Sequence, residues 1–162
     1  MILHYFRKKE NKEKKIAENI YKNILYKSNY LINEYNLFKN KNYNSSFEVV
    51  SIFLIIYIKN SIYKNNNKYS LINDNLISIF ISDLDESLRV KGISDISIGK
   101  YVKSYVKKFY FRLSKFPDFK ENKDQYFLAE YLKLFDFIEG DKFNEASNKI
   151  LKLYQDIDNL RL

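Results

Sequence analysis

The sequence predicts an all-α fold, a single compact bundle of about five to six helices in one domain that spans residues 1–162. Only three glycines and one proline interrupt the 162 residues, and this scarcity disfavours a protein with many turns. Apolar residues recur at helical spacing through most of the chain. With 46% apolar and 30% charged residues, the composition is that of a globular protein long enough to bury its own core.

Six helices are expected because each apolar stretch has helical spacing and a recognisable end. Gly92 is a natural left-handed end for the third helix, and Pro117 closes the fourth. The Asn-rich stretch 37–46 and the polar run 65–68 are expected to be connections. The expected helices cover about residues 16–35, 47–62, 70–92, 97–116, 124–138 and 144–160.

The residue types that most catalytic and metal sites require are scarce in this chain. It has no cysteine and one histidine, His4, which excludes a disulfide framework, a thiolate metal site and a histidine cluster. The acidic run from Asp83 to Glu86 follows an apolar stretch, as in some phosphatases, but no glycine follows it until Gly92. We therefore expect no catalytic residue, no metal and no cofactor, and we interpret the chain as a non-enzyme.

The chain is basic overall and electrically asymmetric. Its formal net charge is +8: residues 1–117 carry 21 basic and 10 acidic side chains (+11), and residues 118–162 carry 7 and 10 (−3). A basic surplus favours a polyanionic partner such as nucleic acid, the ribosome or an anionic membrane surface. An AT-rich genome would also supply many lysines without a functional demand, but it does not account for the asymmetry.

The sequence predicts neither a membrane-spanning segment nor a secretory signal. Its longest apolar run, Val49–Ile58, has ten residues, whereas a spanning helix needs about 20, so this run is interpreted as a buried core helix. The N-terminus lacks a basic region before its apolar patch and a small-residue cleavage site. Residues 1–15 are expected to be a basic, loosely held N-terminal segment or a solvated first helical turn.

The fourth expected helix is strongly amphipathic. Apolar residues from Ile98 to Phe116 share a stripe about 100° wide, and basic residues cover the opposite half. No acidic residue occurs between Ile96 and Pro117, whereas an ordinary solvated face carries mixed charge. Aromatic residues among the bases suit nucleic-acid stacking or the docking of a protein helix. The candidate partner-binding residues are Lys100, Tyr101, Lys103, Lys107, Lys108, Phe111 and Lys115.

The third expected helix has apolar residues over about 200° of its circumference, so we expect it to be the buried centre of the bundle. Asp83 and Ser87 point into this apolar arc. A buried carboxylate has to be paired or neutral, and Arg112 is the most suitable partner because a guanidinium can bind it through two hydrogen bonds. The alternative is a ligand-binding or catalytic role for Asp83. Asp85 and Arg89 are expected to form an exposed i, i+4 pair.

Residues 83–100 read DLDESLRVKGISDISIGK, and residues 109–112 read FYFR. These stretches resemble the signature of the ubiquinol–cytochrome c chaperone family, which reads roughly D-(L/M)-D-x-S-L-R-E-x-G-V-G-D-L-x-V-x-K, followed by a helix ending in F-Y-G-R. The upstream helices are also similar, so the resemblance covers about residues 16–116. The motif positions are Asp83, Asp85, Ser87, Leu88, Arg89, Gly92, Asp95, Gly99, Lys100, Phe109, Tyr110 and Arg112.

The chain departs from this signature at several positions. Val90 stands in place of a glutamate, Lys91 in place of a hydrophobic residue, and Ser94 in place of a glycine. Phe111 replaces the glycine of F-Y-G-R, so either a close backbone approach is lost there or the ring points outward. The acidic helices expected over residues 118–162 have no counterpart in the signature.

The resemblance implies a non-catalytic chaperone in the assembly of the cytochrome bc1 complex, which accompanies newly made cytochrome b near the ribosome and the inner membrane. It also implies a small partner assembly protein and no small-molecule substrate. The expected location is the cytoplasmic or matrix-equivalent side, either soluble or peripheral at the inner membrane. With 15 tyrosines and 13 phenylalanines, the chain has more aromatic surface than a small bundle can bury, which suits a groove for an apolar client.

Two other functional classes stay open at this point. The first is a helical RNA- or ribosome-binding protein that uses the basic face of residues 100–115, with an affinity that falls steeply with salt because phosphate contacts release counterions. The second is an interaction module that binds a small acidic helix and has no client. An enzyme is the weakest class, because Asp83 alone stands out as a candidate acid or base.

Overall fold

The computed structural model describes residues 2–63, 67–118 and 124–158. Within these ranges the protein is all-α, as the sequence predicts, with six helices and one isolated antiparallel β-bridge. The predicted loop at 65–68 and the predicted end of the last helix lie partly outside the described residues. The helices are α1 (Ile2–Glu34), α2 (Tyr43–Tyr63), α3 (Asn67–Val90), α4 (Asp95–Lys115), α5 (Asp124–Leu132) and α6 (Phe143–Asp158).

Helix α1 begins much earlier than the apolar periodicity predicts. Its backbone is helical from Ile2, so the basic segment before residue 16 is continuous with the rest of α1 rather than a separate element. The side chains up to residue 11 lie outside the described part of the chain. Farther along, Ala17, Ile20 and Ile24 are buried at the three- and four-residue spacing of an amphipathic helix.

Helix α2 is the buried core helix that the apolar run predicts. Every residue from Val49 to Ile58 is buried, as expected of a helix that is apolar on all sides. Among the described residues, Tyr43–Ile62 is the one segment long and apolar enough to cross a membrane by length and composition. Of its most apolar window, 72% is buried inside the chain, and a core helix passes the same length and composition test.

Helix α3 is not the fully buried centre that its wide apolar arc predicts. Ile77, Ile79 and Ile81 are only half-buried, because the helix buries a narrower row of residues spaced by four. The helix that is buried on every side is α2, whose central ten residues are apolar apart from Ser51. The buried apolar residues of α3 are Ile72, Leu76, Phe80, Leu84 and Leu88.

The contacts of the chain form two compact units. The first comprises residues 1–21 and 60–114, and the second comprises residues 22–59 and 115–162. The predicted motif lies entirely in the first unit, which also contains α3 and nearly all of α4. The first unit therefore contains the residues that the resemblance marks as motif positions.

In the first unit, α3 packs on α4 through aromatic rings and joins α2 through a buried polar pair. The ring centroids of Phe80 and Phe109 are 5.0 Å apart. The side-chain amide of Asn73 donates to Ser61 Oγ at 2.7 Å, and both residues are buried. This hydrogen bond satisfies two polar groups that would otherwise destabilise the interior.

In the second unit, α5 packs on α6 and is shorter than predicted. It ends at Leu132 rather than near Ile138, because the chain beyond it pairs with the connection between α1 and α2. Phe38 and Ile138 form the β-bridge, and the N–H of Lys39 donates to the carbonyl of Phe137 at 3.1 Å. The N–H groups of Leu134 and Phe135 donate to carbonyls three residues back, so the chain leaves α5 through turns before it reaches this pairing.

Candidate functional site

The turn between α3 and α4 is closed by backbone hydrogen bonds around Gly92. This residue has a φ of 88°, a left-handed conformation that glycine adopts without strain. Its N–H donates to the carbonyl of Arg89 at 2.8 Å, and the N–H of Ile93 donates to the carbonyl of Leu88 at 3.2 Å. These two bonds form a Schellman motif, so the predicted helix end at Gly92 is confirmed.

Arg89 connects the two helices across this turn. Its Nε donates to Asp85 Oδ2 at 2.5 Å, and a second guanidinium N–H donates to Asp95 Oδ1. The bond to Asp85 confirms the predicted i, i+4 pair, whereas Asp95, in the first turn of α4, is a partner that helical spacing does not indicate. The hydrogen bonds to Asp85 and then Asp95 raise the pKa of Arg89 above its ordinary value.

Asp83 has a different partner from the one that the sequence predicts. The hydroxyl of Tyr21 donates to Asp83 Oδ2 at 2.7 Å, so the bond connects α3 to α1 rather than to Arg112 on α4. Tyr21 is buried and Asp83 is half-buried, which fits a structural role for this carboxylate. Ser87, on the same face, is also half-buried, and its hydroxyl donates to the carbonyl of Leu84 at 3.1 Å.

The remaining motif positions divide between the core and the surface. Leu88 and Phe109 are buried, with exposed fractions of 3% and 1%, and Arg112 is half-buried. Most of the motif therefore builds the α3–α4 hairpin and does not present side chains to a partner. The exposed motif positions of α4 are Asp95, which accepts from Arg89, and Gly99, Lys100 and Tyr110.

The lysines predicted to bind a partner fall into two groups. Lys100, Lys103 and Lys107 are exposed, and none of them forms an ion pair with any residue in the described ranges. Lys108 is half-buried on another side of the helix. Lys115 is exposed at the end of α4 but belongs to the second unit, so the surface described next does not include it.

Six exposed side chains form one row along α4, because residues three or four positions apart share a face of a helix. The row is about 22 Å long from Ile96 to Phe111, at about 1.5 Å per residue. Apolar or aromatic side chains stand at its two ends and lysines stand between them. We call this row the α4 stripe, and it consists of Ile96, Lys100, Lys103, Lys107, Tyr110 and Phe111.

Three aromatic residues of α4 are exposed to similar extents but point in different directions. Phe111 is 51% exposed and Tyr110 is 47% exposed, and both lie at the C-terminal end of the α4 stripe. The outward orientation of Phe111 was one of the two outcomes left open by the missing glycine, and it is confirmed. Tyr101 is 46% exposed but lies outside the stripe, about 100° around the helix from Lys100.

Two features of this surface were not predicted from the sequence. Ile96 is 98% exposed at the N-terminal end of the α4 stripe. Gly99 lies beside the stripe, and a Cβ added there would have no atom of the described residues within 4 Å outside its own stretch of helix, so packing among these residues does not require a glycine. The sequence contains a signal for each feature: an isoleucine on the polar side of the helical wheel, and a glycine inside a predicted helix.

The carboxylates at the motif positions Asp83, Asp85 and Asp95 are all engaged in hydrogen bonds. Within the described ranges no group of three or more His, Asp and Glu side chains is placed to hold a metal ion. Arg89 and its two carboxylates are engaged with one another, and Asp83 is engaged by Tyr21. The exposed side chains of the hairpin include the α4 stripe, with three lysines between apolar or aromatic ends.

Comparison with protein families extends the resemblance seen in the motif. A family model described as ubiquinol–cytochrome C chaperone matches residues 38–137. The match contains the whole of α2, α3, α4 and α5. It begins later than the resemblance seen in the sequence, so the whole of α1 is left out, and it continues into the acidic part of the chain. A search of curated proteins finds no match.

Among solved structures, the chain is similar to the crystal structure of the Cbp3 homolog from Brucella abortus. The TM-score is 0.70 with 22% sequence identity, over 99% of this chain and 88% of that one. At this identity the similarity shows a shared fold. The structural similarity also covers the C-terminal third of the chain, which has no counterpart in the sequence motif.

Proposed function

The chain belongs to the ubiquinol–cytochrome c chaperone family, and on this premise we propose that it is a non-catalytic assembly factor of the cytochrome bc1 complex. Its client is newly made cytochrome b, which it holds until partner subunits are in place. Nascent cytochrome b exposes apolar segments, and a chaperone for it needs an open surface with aromatic groups. A small partner assembly protein belongs to the same proposal.

The observation that carries this proposal is the open outer face of α4. Tyr110 and Phe111 are each about half-exposed, and Ile96 is almost fully exposed. Side chains of this kind are the anchors of protein–protein contacts, because they bury large apolar areas when a partner binds. The rest of the motif is engaged in holding the hairpin, which makes α4 a rigid support for this face.

The location follows from the same client. A chaperone for a membrane subunit works on the cytoplasmic or matrix-equivalent side, as a soluble protein or one peripheral to the inner membrane. The exposed lysines of α4 would hold it near anionic lipid or the ribosome, since each base near an anionic surface contributes about 1 kcal/mol.

RNA or ribosome binding is the second candidate function, and one observation favours it. Exposed aromatic rings lie close to lysines on α4, with Tyr101 next to Lys100 and Phe111 near Lys107. Proteins that bind single-stranded nucleic acid combine bases for the backbone with rings for stacking. Such binding would weaken steeply with salt because phosphate contacts release counterions.

The test is crosslinking and affinity purification of the full-length protein from its own cells, before and after nuclease treatment. We expect cytochrome b to be recovered in both cases. The double variant Tyr110→Ser/Phe111→Ser should lose most of this recovery while keeping its melting temperature. The control is Tyr26→Ser/Tyr126→Ser, which removes two tyrosines that are 66% and 61% exposed in the second unit.

Two results would overturn the proposal. Recovery of RNA without any bc1 subunit would make α4 a nucleic-acid surface. Recovery of cytochrome b that the α4 and control variants reduce equally would place the client elsewhere on the molecule.

A further inference from the structure

We propose that the α4 stripe binds an acidic amphipathic helix of about four turns from a protein partner, and that the two helix backbones approach most closely at Gly99. The inference rests on the proposed function, because it states which kind of segment of a client or partner protein α4 recognises. It adds the lysines of the stripe to the apolar contacts of the proposed function, and so specifies a segment that carries acidic side chains between apolar ones.

The charge of the stripe selects an acidic partner. Lys100, Lys103 and Lys107 form an unbroken basic row, and no described residue is paired with them in an ion pair. The sequence has no acidic residue between Ile96 and Pro117. A partner that places carboxylates along this row would gain complementary charge and a faster encounter rate.

The length of the stripe selects a helix of about 15 residues. Ile96 stands at one end and Phe111 at the other, about 22 Å apart along the axis. A helix lying along α4 would bury one apolar side chain against each end and present acidic side chains, spaced by three or four residues, to the lysines between. This is the arrangement by which amphipathic helices are recognised in grooves and on helix faces.

Gly99 supplies the point of close approach. It is exposed within α4, and a Cβ at this position would have no described atom within 4 Å outside its own stretch of helix. A glycine inside a helix is less favourable than an alanine for the isolated fold, so its presence is explained better by a partner than by internal packing. Small residues at a contact let two helix backbones come nearer than larger side chains allow.

A membrane surface and a nucleic acid fit the stripe less well. Helix α4 directs its apolar face into the first unit, through Ile98 and Phe109, so it has no apolar face to insert into lipid. The stripe has no aromatic ring between Lys100 and Lys107. Binding of single-stranded nucleic acid relies on rings on which successive bases stack. Both remain measurable outcomes of the test.

The experiment measures binding of the full-length protein to a labelled helical peptide by fluorescence anisotropy. The peptide has about 16 residues, leucines near both ends and three glutamates on one face. A second peptide of the same composition carries the glutamates on the opposite face. We expect the first to bind at least about tenfold more tightly and to weaken with salt. Oligouridine and phosphatidylglycerol–phosphatidylcholine vesicles are tested in parallel.

Two variants locate the site. Lys100→Glu/Lys103→Glu should weaken peptide binding by at least about tenfold, while Lys14→Glu/Lys15→Glu, with exposed lysines on α1, should not. Gly99→Leu should weaken it similarly by blocking the close approach, while Ser82→Leu on the exposed part of α3 should not. Circular dichroism and melting temperatures verify that each variant is folded.

The inference is overturned if both peptides bind equally, if oligouridine or vesicles bind while the peptides do not, or if Gly99→Leu binds as the wild type does. Its failure can be separated from that of the proposed function. If cytochrome b is still captured in cells when the peptide does not bind, the chaperone proposal stands and this inference fails. If the peptide binds and no bc1 subunit is captured, the acidic-helix inference stands and the chaperone proposal fails.

Discussion

The α3–α4 turn and the α4 stripe are parts of the same hairpin, yet their charged groups differ in kind. In the turn, Arg89 is engaged by Asp85 and Asp95. In the stripe, Lys100 and Lys103 are exposed without an ion pair to any described residue. Both regions lie in the family-like motif or next to it. This part of the chain therefore contains charged residues that are paired within the hairpin and charged residues that are exposed without an ion pair.

This difference separates residues that hold the fold from residues that are available to a partner. A charge that is neutralised within the chain contributes to the hairpin and offers little to another molecule. An exposed lysine contributes almost nothing to stability, but it sets the rate and selectivity of association. We therefore expect substitutions in the turn and core to change the free energy of unfolding, and substitutions in the stripe to change binding.

The largest expected effect tests the boundary between core and stripe on α4 itself. Phe109→Ala should lower the free energy of unfolding by about 3–5 kcal/mol, because its ring is 1% exposed and packs on Phe80. Phe111→Ala, two residues away, should change it by less than about 0.5 kcal/mol. Urea denaturation measures both. Equal losses would mean that Phe111 belongs to the core and that the stripe ends at Tyr110.

The next effect concerns the turn. Gly92→Val should cost about 1–3 kcal/mol, because a β-branched residue is strained at positive φ, and Gly92 has a φ of 88°. Gly92→Asn should cost less, since asparagine tolerates this conformation better. Thermal and urea denaturation compare the two. Equal costs would show that something other than backbone conformation requires the glycine.

A smaller effect concerns the bond from α1 to α3. Tyr21→Phe should lower the free energy of unfolding by about 1 kcal/mol, because it removes the donor to Asp83 Oδ2. The exposed tyrosine change Tyr26→Phe is the control and should have no effect. A double-mutant cycle with Asp83→Asn should reveal coupling between the two positions; purely additive losses would contradict a direct interaction.

Local features of this hairpin could be predicted from the sequence, because they depend on residues close together in the chain. The helix end at Gly92 and the pair of Asp85 with Arg89 are of this kind, and both are confirmed. The amphipathic pattern of α4 likewise separated its buried residues from its exposed lysines. The family resemblance, carried by 18 consecutive residues, added the functional class.

Features that depend on distant residues could not be predicted in the same way. Tyr21 and Asp83 are 62 positions apart, and no spacing rule connects them. The early end of α5 accompanies the bridge between Phe38 and Ile138. The apolar spacing of residues 133–138 gives no sign of a partner that lies 100 positions away. The openness around Gly99 is a property of the folded surface and depends on every neighbouring element.

The fourth prediction tests whether the chain's own fold needs Gly99. Gly99→Ala should raise the free energy of unfolding by about 0.5–1 kcal/mol, because alanine is the better helix former, and its Cβ would meet no atom. The measurement is urea denaturation of the full-length protein. A loss of stability instead would show that the glycine serves internal packing, and the argument for a close approach by a partner would be removed.

The smallest effect on stability compares one charge of the turn with one charge of the stripe. Arg89→Gln should lower the melting temperature slightly at low salt, and the difference should shrink at high salt; Lys103→Gln should leave it unchanged at both.

The pH dependence of this effect follows from the pKa of Arg89, which Asp85 and Asp95 raise. The contribution of Arg89 to stability is therefore present at every pH below its unfolded-state pKa and is lost only as the pH rises through the higher folded-state value. The Arg89 effect should therefore be the same at pH 6 and pH 8. If Lys103→Gln lowers the melting temperature as much as Arg89→Gln does, the stripe is structural, and the distinction between the two regions fails.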